Sequence, residues 1–200
     1  MSRPAVHDPA GRLEERRGLL NDLVQEHERI LGVLAALQSF TAFHVEKTPE
    51  PRESLRGFVQ FFREYLDGFH HGKEENVLFP AMVNAGLPVN AGPVGCMLGE
   101  HDLGRNMLGP LKALGDGSGD LTPSEIGMLG EISVGYAQLL VNHIAKENQM
   151  LYPMAERMLT PTQLDALDVY AAENCARTPE ESAALEKLGA TLVERFGGRA

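Results

Sequence analysis

Apolar residues recur along this chain at i, i+3, i+4 and i+7 over long stretches, and strict alternation is absent, so the pattern predicts helices and no strands. A first helix is expected from about Gly11 to Glu46, with Leu20, Leu23, Val24, His27, Ile30, Leu31 and Leu34 on one face; the segment KTPEP (47–51) breaks it. A second runs from about Arg52 to Asn84 and turns Phe62, Leu66, His70, Glu74, Val77 and Leu78 inward. A third spans about Pro93 to Leu114, with Val94, Met97, Leu98, His101, Arg105 and Leu108 on one face. GLPVNAG (86–92) and GDGSGD (115–120) are loops by composition. TPSE (122–125) reads as a capping box opening a fourth helix that reaches about Leu159. Its inner stripe is Leu129, Ile132, Tyr136, Leu139, Leu140, His143, Glu147, Met150 and Leu151. The same start recurs at TPTQ (160–163) and TPEE (178–181), predicting two shorter helices over about 161–176 and 179–195. Four long helices with mostly short links predict an all-α, up-down-up-down antiparallel four-helix bundle over residues 1–159, with a helical C-terminal appendage at 160–200.

One device occurs twice on these helices. HHGKEENVLFP (70–80) and HIAKENQMLYP (143–153) share His-x-x-Lys-Glu-x-x-x-Leu-aromatic-Pro. Each is preceded one helix earlier by a lone Glu-His, at Glu26-His27 and Glu100-His101. Each half is therefore a helical hairpin carrying one lone His and one His-x-x-x-Glu. Residues four apart share a helix face, so His70 with Glu74, and His143 with Glu147, can address one metal-sized object. Heights agree in the first hairpin, where His27 lies 19 residues before the end of helix one and His70 lies 18 after the start of helix two. The second hairpin is mismatched by roughly 10 Å at 1.5 Å per residue, to be absorbed by the 115–121 loop or an overhanging helix four.

Four His and two Glu on core-facing stripes are expensive to bury without a metal or hydrogen-bonding partners. The donors suit iron, zinc or manganese, and the absence of cysteine from the repeat argues against soft metals. One metal would use three or four ligands and leave carboxylates over. Two metals, each with two His and bridged by both Glu, would use every ligand.

These motifs resemble the hemerythrin-like, or HHE cation-binding, family over residues of about 18–159. The resemblance implies a four-helix bundle with a non-haem di-iron centre, in which His27, His70, His101 and His143 are terminal ligands and Glu74 and Glu147 are bridging carboxylates. Oxygen-carrying members place a further His one turn after the helix-three ligand, where this chain has Arg105. The resemblance is accordingly to the symmetric bacterial type linked to nitric oxide and iron-centre repair. It implies two Fe ions, with Zn or Mn as the other occupants, and a small diatomic or peroxide ligand. The expected role is reaction with O2, peroxide or NO in a stress response or in iron-centre repair or delivery. The alternative is reversible binding or sensing of O2.

Secondary candidates each have two readings. Arg105 either places a cation near the metals or carries its head along the helix into solvent. Tyr136, seven residues before His143, is either a pocket phenol or a core tyrosine. Glu26 and Glu100 either orient an imidazole from behind or face solvent. His71 with Glu75 lies off the ligand rung and reads as a surface pair; His7 and His44 read as structural or exposed. Pro80 and Pro153 are expected to kink or end their helices just past the metal layer. Met97, Met107, Met150 and Met154 read as core.

The formal charge of −10 disfavours nucleic acid or an anionic membrane as partner. No stretch of the sequence predicts a signal peptide or a membrane span, and Cys96 and Cys175 read as buried or half-buried reduced thiols, so a cytoplasmic protein is expected. A homodimer through the C-terminal helices is a further expectation.

Overall fold

A computed structural model describes residues 18–48, 51–175 and 177–198. All regular structure among them is helical. Helix α1 covers Leu19–Ser39 and runs on through a wider π turn, Phe40–His44, and a 3-10 turn, Val45–Lys47. Helix α2 is one continuous rod over 51–84, with α-helical stretches Pro51–Phe61 and Phe79–Asn84 and π turns Phe62–His71 and Glu74–Leu78 between them. Helix α3 is Gly92–Asp116. Helix α4 is Pro123–Lys146, continued by a π turn Glu147–Leu151 and an α-helical end Tyr152–Met158. Helices α5 (Pro161–Asn174) and α6 (Pro179–Phe196) follow.

Helix starts follow the predicted caps. Thr122, Thr160 and Thr178 each accept from the backbone N–H three residues on, and Glu125, Gln163 and Glu181 reach back to close the box. Thr122→Ala is expected to cost about 1 kcal/mol, read as a small fall in the urea midpoint at unchanged slope. The first helix starts later than the sequence predicts: Gly18 sits at φ 75°, a left-handed conformation that ends any continuous helix there. The Leu19 N–H is then capped by Asp168 Oδ1 of α5 at 2.7 Å. Residues 11–17 of the predicted helix lie outside the described residues, as do His7 and the side chain of His44.

Helices α1–α4 form the expected antiparallel bundle, with α6 laid across α1 and α2. Two apolar cores occupy its two ends. The larger includes Ile30, Leu37, Phe40, Phe58, Phe62, Leu111, Leu129 and Tyr136 and takes in Leu185, Leu192 and Phe196 of α6. The smaller joins the starts of α1 and α3 and the ends of α2 and α4, through Leu19, Leu23, Leu78, Phe79, Met97, Leu151 and Tyr152. Between them lies a slab of buried polar side chains: Glu26, His27, His70, His71, Lys73, Glu74, His101, His143 and Glu147.

His101 and His143 stand level. From there α3 continues to Asp116, 15 residues on, and α4 begins at Pro123, 20 residues before His143, so the first turn of α4 overhangs the end of α3. Further along α4, Ser133 Oγ meets Thr41 Oγ1, just past the end of α1, at 3.0 Å. Arg52, itself buried, holds the connecting loop through the carbonyls of Gly119 and Asp120 and ties it to α3 through the Leu114 carbonyl. No helix among the described residues is long and apolar enough to cross a membrane. Both cysteines are free; Cys175 is half-buried, whereas Cys96 is exposed, contrary to the expectation of burial.

Candidate metal centre

The repeat is explained by how its parts reach across each hairpin. The Lys before each Glu grips the Glu of the preceding helix: Lys73 donates to Glu26 Oε1 and Lys146 to Glu100 Oε1. Each gripped carboxylate turns its other oxygen to the repeat's own His. Glu26 Oε2 lies 3.0 Å from His70 Nδ1, and Glu100 Oε2 lies 2.9 Å from His143 Nδ1. The residue after each repeat Glu serves the lone His of the opposite hairpin. His27 Nδ1 meets Asn148 Oδ1 at 3.0 Å, and His101 Nδ1 meets Glu75 Oε1 at 2.6 Å. With Nδ1 held from behind, all four rings present Nε2 to the interior, the arrangement by which metal-binding imidazoles are oriented. Of the two readings of Glu26 and Glu100, the structure thus shows the orienting one.

Two groups of ligand atoms result. One comprises His71, Glu74, His101 and His143, the other His27, His70 and Glu147, and within each the atoms lie within 4.8 Å of one another. Glu147 spans both: Oε2 is 3.1 Å from His27 Nε2 and Oε1 is 3.0 Å from His143 Nε2. Glu74 also faces both, with Oε2 3.4 Å from His101 Nε2 and 3.8 Å from His70 Nε2. Among the described residues, five buried side-chain N or O atoms lack a hydrogen-bond partner, and four of them are here: His71 Nε2, Glu74 Oε2 and both oxygens of Glu147. Buried acceptors left without donors are costly, and a cation between them removes that cost.

His71 corrects the sequence reading. It is not a surface residue but 3% exposed, stacked on His101 with ring centroids 3.6 Å apart. Glu75 does not pair with it but with His101 and Arg105. An α-helix would rotate His71 by about 100° from His70. The π turn Phe62–His71 takes more residues per turn, so the two imidazoles can both face inward. The same widening at Glu147–Leu151 turns Met150 outward, 57% exposed, while Leu151 stays buried. Pro80 and Pro153 therefore widen their helices instead of ending them. Each lacks an N–H and crowds the carbonyl four residues back, at Asn76 and Gln149, both inside the π turns.

Arg105 and Tyr136, the two candidates for a part in the chemistry, stand outside the cluster. Arg105 points neither at the metal groups nor freely into solvent. It pairs with Asp67 at 2.7 Å and Glu75 at 2.6 Å, and so braces Glu75 behind His101. Tyr136 lies in the larger core, edge-on to Phe62 at 5.2 Å. The phenol that does reach the cluster is Tyr152, the aromatic of the second repeat. Its hydroxyl donates to Glu74 Oε1 at 2.8 Å and lies 3.4 Å from His27 Nε2. The doubled Leu-aromatic-Pro was a visible signal for it.

A sequence comparison accords with this geometry: the family model of the hemerythrin HHE cation-binding domain matches residues 12–155. The chain belongs to the hemerythrin HHE family. A comparison with curated proteins finds no match. Hemerythrin HHE domains bind cations, and the two His/Glu groups are where this hemerythrin chain could hold them.

Charge in the hemerythrin slab is balanced against burial. Burial pushes the His70 imidazole well below its ordinary range and His71 down to about 4, so both are neutral at pH 7. Burial acts the same way on His101, but Glu147, Glu74 and Glu75 outweigh it and raise His101 to about 11. His143 is likewise raised, Glu147 overcoming its burial. Glu147 is held well below the carboxylate range because His143, His101 and His27 overcome its desolvation. A cation must displace the proton on His101. Loading at pH 7 is therefore expected to release about one proton or more, and affinity to rise with pH. A pH indicator in weakly buffered protein during metal addition measures this; uptake without release would contradict it.

Proposed function

We propose that the protein is a di-iron hemerythrin-like protein that reacts with O2, peroxide or NO, in a stress-response or iron-centre repair role. One iron would be held by His71, His101 and His143, the other by His27 and His70, with Glu147 and Glu74 between them. The observation that carries this is Glu147, whose two buried, unpartnered oxygens face imidazoles of the two different groups. When bound, an iron pair supplies electrons and coordination positions for a small ligand. The chain supplies orientation, through the Lys73–Glu26–His70 and Lys146–Glu100–His143 series, and exclusion of water. Phe79 and Tyr152 lie against His101 and His27 on the side of the smaller core.

A second reading, reversible O2 binding without turnover, draws support from burial. Every residue of the two groups is at most 3% exposed. Metal analysis and optical spectra of anaerobically purified protein, recorded as O2 is admitted and withdrawn, separate the readings. Two irons with near-ultraviolet bands that reverse under vacuum favour binding. Two irons that oxidise irreversibly favour reaction, to be followed with peroxide and NO. Zinc, or no bound metal, overturns both.

A further inference from the structure

We infer that the Tyr152 hydroxyl makes the two metal positions unequal, by occupying one oxygen of Glu74 and leaving the His27–His70 position as the weaker, exchangeable one. The inference rests on the metal reading above. Tyr152 and Phe79 hold the same place in the two repeats. Each ring lies on the lone His of the opposite hairpin, Tyr152 on His27 at 5.6 Å and 5°, Phe79 on His101 at 5.8 Å and 23°. The chemical difference between the two rings is one oxygen. It donates to Glu74 Oε1 at 2.8 Å from a fully buried side chain.

Among the described residues no hydroxyl reaches Glu147, whose two oxygens face the imidazoles of His27 and His143, whereas of Glu74's oxygens Oε2 alone is left without such a donor. Glu147 can give an oxygen to each ion, whereas Glu74 gives one oxygen unless its bond to Tyr152 breaks. The cost falls unevenly. The position with His71, His101 and His143 has three imidazoles and tolerates half a carboxylate; the position with His27 and His70 has two. Tyr152 is a positioning residue in this account, acting through Glu74.

Titration of metal-stripped protein with Co(II), followed by calorimetry and visible absorption, tests it. Wild type is expected to take up two ions in resolved steps, and His27→Ala to lose the weaker step alone. Tyr152→Phe is expected to tighten the weaker step by about tenfold, the worth of a hydrogen bond to a charged acceptor, and to leave the tighter one unchanged. Circular dichroism checks that the variants are folded. Two ions bound with constants that Tyr152→Phe does not change, or a weaker step that loosens further, would overturn the inference while leaving the di-metal reading intact. A wild type that binds no Co(II) would overturn that reading and the inference with it.

Discussion

Glu147→Gln is expected to lower metal affinity at both positions by at least about 100-fold, the upper end of what losing even an outlying partner costs a metal site. Glutamine keeps the size of the side chain, so the packing around a residue with no exposure is retained. What it removes is the negative charge and one of the two oxygens that stand 3.1 Å from His27 and 3.0 Å from His143. The amide N–H that replaces the lost oxygen must point at an imidazole or at the ion, and it can ligate neither. Glu74→Gln should cost less, because one oxygen of Glu74 is already engaged by Tyr152. Inductively coupled plasma analysis after dialysis, with calorimetry for the constants, measures both variants. Two ions retained by Glu147→Gln at wild-type affinity would sink the bridging role.

The parts of the site that were legible in the sequence are those that depend on chain order and on the ordinary helical period. The doubled His-x-x-x-Glu, the lone Glu-His and the Thr-Pro capping boxes all act within a turn or between neighbouring helices of a hairpin. His71 and Met150 were read differently, and Tyr152 was passed over, for one reason. The α-helical period assigns faces at about 100° per residue, and this chain departs from it where it carries its buried His and Glu side chains. Pro80 and Pro153 were the visible cause at two of those turns, read as kinks or helix ends, and the helices run on through them with a wider turn just before each. The π turn Phe62–His71 has no proline behind it, and we have no sequence account of it. The crosswise contacts of Asn148 with His27 and Glu75 with His101 needed the packing of one hairpin on the other.

Phe196→Ala is expected to destabilise the whole bundle by about 3 kcal/mol, at the low end for deleting a buried phenylalanine, and to lower the melting temperature by about 6–12 °C for a chain of this size. Although Phe196 closes the last helix, its ring meets Phe40 of α1 edge-on at 5.0 Å and Phe58 of α2 at 5.8 Å. The same helix comes close enough to α2 that a Cβ on Gly189 would stand 2.7 Å from Phe61 Cε2, so Gly189 permits the approach that Phe196 fastens. Leu185 and Leu192 fill the same apolar core as Ile30 and Leu37. A helix that shares the core of the bundle should unfold with it, in one transition that the substitution moves as a unit. A helix merely attached at the end would melt in an earlier step of its own, leaving the main transition in place. Differential scanning calorimetry of the two proteins at equal metal content distinguishes these outcomes, since bound metal would otherwise shift both curves.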